Sequence, residues 1–266
     1  MPTVNSSGVE ISYTDSGGSG PVVLLLHAWP LKAEMWASQV GALGGRFRFI
    51  AVDFRGFGSS GAPDDPAQYS MDAFAADAAA VLDATEIERA VVCGLSMGGY
   101  VTFALLRQKP DRVAGIVLAD TRAEADPPER VEQRTAQQQQ VAREGTGGLV
   151  DTLVSGPLLS DTTRSRKPDV VERVRTLADN PSAGYIGGLE ALKTRPDSTP
   201  QLTSISVPTL VVVGEEDALA PPDVARSMHE HIGGSEMVVV PEAGHLSNLE
   251  SPDVFTGALA RFLGGV

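Results

Sequence analysis

Short aliphatic runs alternate with helix-like segments along most of this chain. Runs such as Val22–Leu26 and Ala90–Cys93 are continuously apolar, as expected of strands buried on both faces of a sheet. Segments with helical patterning follow them, for example Met97–Gln108, which ends just before Pro110. Repeated β-then-α units predict a mostly parallel central sheet with right-handed crossovers and helices on both faces, so the predicted fold class is α/β.

The alternation is interrupted once. From Arg122 to Arg195 there is no strong strand pattern, and helical segments occupy Pro128–Glu144 and Pro168–Ala178. We therefore predict one α/β core, residues 1–121 and 199–266, with a helical cap insertion at residues 122–198 lying over the sheet. The other predicted strands are Val9–Tyr13, Phe49–Val52, Val113–Ala119, Thr209–Val213 and Met237–Val240, and the other predicted helices are Leu31–Leu43, Ser70–Ala84, Pro222–Ile232 and Pro252–Leu263.

Composition limits the partners of this chain. The formal net charge of −13 argues against nucleic acid or an anionic membrane as partner, because such surfaces attract clustered Lys and Arg. The single cysteine, Cys93, lies in an apolar run and is expected to be a buried small hydrophobe, with no Cys/His metal spacing around it. Residues 1–7 lack the pattern of a signal peptide, so we expect a soluble cytoplasmic protein.

A Gly94-x-Ser96-x-Gly98 motif lies directly between a buried strand and a helix. A serine hydroxyl is a weak nucleophile and must be exposed beside a base. A sharp strand-to-helix turn lifts the hydroxyl above the sheet edge, and flanking glycines leave room for that turn. The start of the helix also directs free N–H groups at developing negative charge. The motif therefore predicts Ser96 as a catalytic nucleophile.

A nucleophilic serine needs a base, and the chain has four histidines. His229 and His231 lie on a predicted helix and are expected at its surface. His27 precedes Ser96 in the chain, whereas His245 follows the last predicted strand in a loop. The Gly94–Gly98 turn resembles the nucleophile turn of α/β-hydrolases, in which the catalytic residues follow in the chain order Ser, acid, His. This resemblance implies His245 as the general base.

The acid that orients the base is predicted to be Asp217. It follows the strand Thr209–Val213, at the sheet edge where open α/β sheets place their sites. Two alternatives remain open: Asp120, which ends another strand, and Glu216, which neighbours Asp217. Asp53 also ends a strand but precedes Ser96, so a structural role in its turn is expected.

A tetrahedral intermediate needs two N–H donors for its oxyanion. The residue after the nucleophile supplies one, the Met97 N–H. The loop His27-Ala28-Trp29-Pro30 is expected to supply the other from Trp29, which is also expected to line the substrate pocket, because Pro30 has no N–H.

Together these motifs resemble the α/β-hydrolase superfamily over nearly the whole chain. The matching segments are His27–Pro30, Asp53–Ser60, Gly94–Gly99, Gly214–Asp217 and Gly244–His245. Within that superfamily the chain looks most similar to 3-oxoadipate enol-lactonases and to cofactor-free haloperoxidases, perhydrolases and esterases. One departure is Ala28, where the family usually has Gly; a positive φ there would cost about 1 kcal/mol.

The resemblance implies a serine hydrolase that cleaves a small-molecule ester or lactone without metal or organic cofactor. Carbon–carbon bond hydrolases, amidases and peroxide-dependent enzymes share the same catalytic residues, and a hydrolase-fold ligand receptor or inactive scaffold is the non-enzymatic alternative. An enol-lactonase must bind a carboxylate, for which Arg122, Arg130 or Arg134 would have to face the pocket rather than solvent. The candidates for pocket lining or for packing the insertion onto the sheet are Leu149, Leu153, Leu158, Leu159, Tyr185 and Leu189.

Overall fold

A computed structural model describes residues 1–266 and has one eight-stranded sheet at its centre. The strands are β1 (Thr3–Ser6), β2 (Val9–Asp15), β3 (Val22–Leu26), β4 (Arg48–Val52), β5 (Ala90–Leu95), β6 (Val113–Ala119), β7 (Thr209–Gly214) and β8 (Glu236–Val240). Their order across the sheet is β1-β2-β4-β3-β5-β6-β7-β8. The pairs β1–β2 and β2–β4 are antiparallel and all other neighbours are parallel. The mostly parallel α/β architecture predicted from the alternation is thus confirmed.

Strand position in the sheet explains the apolar runs. β5 lies between β3 and β6, and every one of its residues is buried. Cys93 belongs to this strand, where burial raises the pKa of its thiol and keeps it protonated. At the opposite extreme, β1 is a polar strand at the edge of the sheet and is largely exposed, so no apolar run marks it in the sequence.

Eleven α-helices accompany the sheet. They are α1 (Ala37–Leu43), α2 (Met71–Ala84), α3 (Met97–Gln108), α4 (Pro128–Glu144), α5 (Gly147–Ser155), α6 (Asp161–Arg166), α7 (Pro168–Leu177), α8 (Ser182–Lys193), α9 (Pro222–His231), α10 (Ser247–Glu250) and α11 (Pro252–Leu263). The five helices α4–α8 connect β6 to β7 and lie within the predicted cap, residues 122–198. None of the eleven helices combines the length and apolarity that a membrane crossing requires.

The helix predicted at Leu31–Leu43 is shorter than the sequence pattern indicates. A 3₁₀ turn occupies Ala33–Trp36, and the α-helix begins only at Ala37. The buried Asp53 carboxylate accepts a hydrogen bond from the Ala33 N–H at 2.8 Å, and this bond fixes the segment against the turn that follows β4. A tertiary contact therefore overrides the local helical pattern.

Helix α8 packs against the core through glycines. A Cβ on Gly184 would overlap the backbone of Gly56, and a Cβ on Gly187 would overlap the ring of Tyr69. A Cβ on Gly188 would contact the indole of Trp29 at 2.6 Å. Because these positions lack a side chain, the backbone of α8 approaches the core closely and seats the insertion beside the carboxyl end of β3.

Candidate active site

Ser96 occupies a strained turn between β5 and α3. Its φ of 54° and ψ of −110° lie outside the regions that residues with side chains ordinarily adopt, at a cost of about 1–3 kcal/mol. The surroundings hold this conformation through two hydrogen bonds: the Ser96 N–H donates to the Ala119 carbonyl at 2.9 Å, and the Thr121 hydroxyl donates to the Ser96 carbonyl at 2.8 Å. The geometry raises the side chain above the carboxyl edge of the sheet.

The glycines of the motif allow this turn to pack tightly. A Cβ on Gly98 would overlap the carbonyl oxygen of Leu26 at the end of β3, and a Cβ on Gly94 would overlap the carbonyl oxygen of Gly98. Both positions therefore require glycine for close backbone approach, as the sequence motif predicts.

Three side chains from separate loops meet in one hydrogen-bonded chain. The Oγ of Ser96 lies 2.8 Å from Nε2 of His245, and Nδ1 of His245 lies 2.8 Å from Oδ2 of Asp217. All three residues are buried. Because an ionised carboxylate can only accept, Nδ1 carries the proton and donates it to Asp217. Nε2 is then free to accept the hydroxyl proton of Ser96, which is the arrangement a general base needs.

The loop after β7 fixes Asp217 in place. Its Oδ1 accepts hydrogen bonds from the N–H groups of Leu219 at 2.8 Å and Ala220 at 2.9 Å. These bonds hold the carboxylate plane toward His245 and satisfy lone pairs that burial would otherwise leave unpaired.

The two alternative acids have other partners. Asp120 is buried nearby, but its carboxylate accepts hydrogen bonds from the N–H of Gly214 at 2.8 Å and the hydroxyl of Ser247 at 2.6 Å, not from His245. Burial, and then the neighbouring Asp217, raise the pKa of Asp120 well above its ordinary value. Glu216 is exposed and accepts a hydrogen bond from the hydroxyl of Thr162 at 2.8 Å.

The other histidines and Asp53 have structural contacts. His27 is buried: its Nε2 accepts the Phe54 N–H at 3.1 Å, its Nδ1 donates to the Ala28 carbonyl, and burial lowers its pKa to about 4. Asp53 closes its turn by accepting the N–H groups of Ala33 and Ser59. His229 and His231, both on α9, bond to Ser235 and to the Ser227 carbonyl respectively.

Charge around His245 favours its protonated form. Burial lowers the pKa of this imidazole, but the carboxylates of Asp217, Asp120 and Glu250 outweigh that effect, so its pKa lies above the ordinary value. A base with a raised pKa accepts a proton more readily, and the imidazolium that forms is stabilised by Asp217.

Two buried backbone N–H groups at the site have no acceptor within the protein. They belong to Trp29, which follows β3, and to Met97, which begins α3. β3 and β5 are neighbours in the sheet, so both groups lie at the same sheet edge as Ser96. Ala28, which stands where the family usually has Gly, does not have a positive φ and carries no strain of that kind.

A cavity of about 260 Å³ opens onto Ser96 and His245, and Trp29 lines it. Of the apolar candidates from the insertion, Leu153 and Leu158 line the cavity. The others pack in the hydrophobic core instead, and these are Leu149, Leu159, Tyr185 and Leu189. A larger surface groove, about 750 Å³, lies at the amino ends of β6 and β7 and holds none of the candidate catalytic side chains.

The cavity wall is also basic. Arg122, Arg130 and Arg134 line it, together with Arg195, which the sequence analysis did not single out. A sequence signal for the α4 part of this wall does exist, since the polar side chains that reach the cavity recur at helical spacing: Arg130, Gln133, Arg134 and Gln137. No group of three or more His, Cys, Asp or Glu side chains suited to holding a metal ion is present.

These features describe the candidate site on an α/β fold, and comparison with known proteins gives the family. The family model described as the alpha/beta hydrolase fold matches residues 21–252, so the chain belongs to that family. The resemblance expected from the sequence motifs is confirmed.

Relatives with named activities cover nearly the whole chain. A 3-oxoadipate enol-lactonase of Acinetobacter baylyi is 29% identical over 259 residues, covering 97% of this chain and 94% of the relative. The malate-bound structure of a thermophilic esterase from Thermogutta terrifontis has 36% identity and a TM-score of 0.92, covering 99% of this chain and 98% of that one. The enol-lactonase from Burkholderia xenovorans has 32% identity and a TM-score of 0.91, covering 99% of this chain and 100% of that one.

Proposed function

We propose that this protein is a serine hydrolase that cleaves a carboxylic ester or lactone through an acyl-enzyme intermediate on Ser96. The observation that carries the proposal is the buried chain of hydrogen bonds from Ser96 Oγ to His245 Nε2 at 2.8 Å and from His245 Nδ1 to Asp217 Oδ2 at 2.8 Å. The similarity to an esterase and to enol-lactonases supports the same bond class.

Acylation begins as Ser96 Oγ attacks the carbonyl carbon of the substrate and its proton passes to His245 Nε2. The carbonyl oxygen becomes an oxyanion, which accepts hydrogen bonds from the N–H groups of Trp29 and Met97. Collapse of this intermediate breaks the carbon–oxygen bond, and His245 gives its proton to the departing alkoxide. In a lactone the resulting alcohol remains attached to the acyl chain.

Deacylation repeats these steps with water. His245 removes a proton from the water molecule, the hydroxide attacks the acyl carbon, and the Ser96 alkoxide leaves and recovers the proton from His245. Asp217 stays ionised throughout, holds the tautomer and stabilises the imidazolium. Neither step needs a metal or an organic cofactor.

Hydrolysis of a panel of short p-nitrophenyl esters, simple lactones and an enol-lactone tests the proposal. We expect turnover of at least one substrate and its loss in Ser96→Ala, with covalent labelling of the wild type, but not of the mutant, by a fluorophosphonate probe. Turnover that survives in Ser96→Ala would refute the nucleophile assignment. Absence of both turnover and labelling would refute the hydrolase proposal and favour an inactive scaffold, whereas labelling without turnover across a broad panel would favour a ligand receptor.

A further inference from the structure

The segment Ala119–Thr121, at the carboxyl end of β6, binds the backbone of the candidate nucleophile. The Ala119 carbonyl accepts a hydrogen bond from the Ser96 N–H at 2.9 Å, and the Thr121 hydroxyl donates to the Ser96 carbonyl at 2.8 Å. Both polar groups of the strained Ser96 backbone therefore bond to the same segment. The Thr121 side chain is buried, and it occupies the space that a Cβ on Gly99 would fill.

The middle residue of this segment, Asp120, binds the turns that carry the other two candidate catalytic residues. Its carboxyl group accepts the N–H of Gly214, three residues before Asp217, at 2.8 Å. It also accepts two hydrogen bonds from Ser247, two residues after His245: the N–H lies at 3.2 Å and the hydroxyl at 2.6 Å. One tripeptide is thus hydrogen-bonded to all three turns of the candidate site.

The backbone of Asp120 is strained. Its φ of 45° lies in the left-handed region, which is unfavourable for most residues with a side chain and persists only where the surroundings hold it. Successive side chains of an extended strand point to opposite faces of the sheet. Here the adjacent side chains of Asp120 and Thr121 both bond to turns of the candidate site. The strain is therefore coupled to the placing of both side chains at this edge of the sheet.

We infer that Thr121 is a positioning residue for the reaction, because its hydroxyl holds Ser96 where Oγ meets Nε2 of His245. The inference rests on the proposed function and deepens it by naming a residue outside the cavity on which the reaction rate depends. Thr121 does not line the cavity, so it acts through Ser96 and not through substrate binding. A displacement of about 1 Å between reacting groups can cost on the order of 100-fold in rate.

Thr121→Val removes the hydroxyl and keeps the shape of the side chain. The Ser96 carbonyl still accepts the N–H groups of Gly99 at 2.9 Å and Tyr100 at 3.3 Å, so no buried acceptor is left unpaired and the variant should fold. For an ester that the wild type hydrolyses, we expect kcat to fall about 10- to 100-fold while KM stays within about 3-fold. Labelling of Ser96 by the fluorophosphonate probe should slow by a similar factor.

A conservative variant and a matched control separate the hydroxyl from general packing. Thr121→Ser keeps the hydroxyl without the methyl group, and its kcat should stay within about 3-fold of the wild-type value. Thr102→Val is the control: Thr102 is buried on α3, and its hydroxyl donates to the Gly98 carbonyl at 2.8 Å, the same type of bond close to the nucleophile. The two valine variants should lose similar stability in thermal denaturation, but only Thr121→Val should lose kcat.

The pH profile separates an effect on position from an effect on charge. The carboxylates of Asp217, Asp120 and Glu250 that raise the pKa of His245 remain in Thr121→Val. The acid limb of its kcat/KM profile should therefore keep the wild-type midpoint. A shifted midpoint would mean that Thr121 acts on the base, which would overturn its assignment to the nucleophile.

Three further outcomes would overturn the inference while the proposed function stands. They are wild-type kcat in Thr121→Val, an equal loss of kcat in Thr102→Val, and a Thr121→Ser variant as slow as Thr121→Val. In each case turnover and labelling of the wild type, both lost in Ser96→Ala, would still support the proposed function. A wild type that neither labels nor hydrolyses any ester or lactone would instead refute the proposed function, and the inference with it.

Discussion

Glu250 provides the sharpest test of how this site is held together. Its carboxylate is 1% exposed and accepts three backbone hydrogen bonds. Oε1 accepts the N–H groups of Gly244 at 3.0 Å and Leu246 at 3.2 Å, the two residues that flank His245. Oε2 accepts the N–H of Ser160 at 2.8 Å, which belongs to the insertion. One side chain thus joins the histidine loop to the cap.

Glu250→Gln keeps the shape but replaces one acceptor oxygen by a donor. In either orientation of the amide, an NH₂ group meets a backbone N–H, and at least one buried donor loses its partner at a cost of about 1–3 kcal/mol. The remaining bonds lose their charge assistance, which adds about 1 kcal/mol. We expect the free energy of unfolding to fall by about 2–4 kcal/mol, measured by urea denaturation.

The same substitution should change the pH dependence of hydrolysis. Glu250 is one of the carboxylates that raise the pKa of His245, so removing its charge lowers that pKa. The acid limb of the kcat/KM profile should move to lower pH. Glu215→Gln is the matched control, because Glu215 also accepts a backbone N–H of this region, that of Glu242 at 3.3 Å, but on the protein surface. A loss below about 0.5 kcal/mol in Glu250→Gln, no larger than that of a surface change, or an acid limb that moves upward would refute this reasoning.

Three further predictions concern the site and its turn. Asp217→Asn should lower kcat/KM on the order of 10³- to 10⁴-fold, because the imidazole loses its correct tautomer. In Asp120→Asn, kcat/KM should stay within about 10-fold of the wild-type value. If steady-state assays show the larger loss in Asp120→Asn, Asp120 is the acid that orients His245. In the wild type, kcat/KM should rise with pH through the ionisation of His245, since only the neutral imidazole accepts a proton, and the midpoint should lie above about 6.5; a midpoint below that value would contradict the raised pKa. Gly98→Ala should destabilise the protein by about 2 kcal/mol or more, because the added Cβ overlaps the Leu26 carbonyl. Gly257→Ala on α11 is the control: the added Cβ meets open space, so stability should be equal or higher. Similar thermal midpoints for the two variants would show that the turn is less tightly packed than in the structure.

Sequence patterns correctly located most of the buried elements, because burial restricts which residue types a strand or helix can contain. β3 and α3 have the bounds that the apolar run and the following Lys109-Pro110 predict, because a strand covered on both faces must be apolar throughout. β1 was not predicted, since it is a polar edge strand held by its pairing with β2 rather than by burial. Helix α8 was not predicted either, because its glycines lower helix propensity and are tolerated only through contact with the core.

The residues of the candidate site were partly accessible to sequence reasoning. Chain order was enough to predict Ser96, Asp217 and His245 as one group of candidate catalytic residues, because each follows a strand at the same edge of the sheet. Which arginines face the cavity could not be read in the same way. Arg195 reaches the cavity only because the end of the insertion folds back against Tyr100. Its ion pair with Asp126 joins residues far apart in sequence, so no local sequence pattern predicts it.

The contact between α8 and the core has a consequence for how this chain can diversify. Gly188 abuts Trp29, and Trp29 lines the cavity, so one added methyl group would displace either the helix or the indole. The size of the space above Ser96 is therefore adjustable from a position that does not itself line the cavity. Substitutions at the contact between Gly188 and Trp29 could therefore be selected in the laboratory for bulkier or smaller substrates, while the reacting groups stay unchanged.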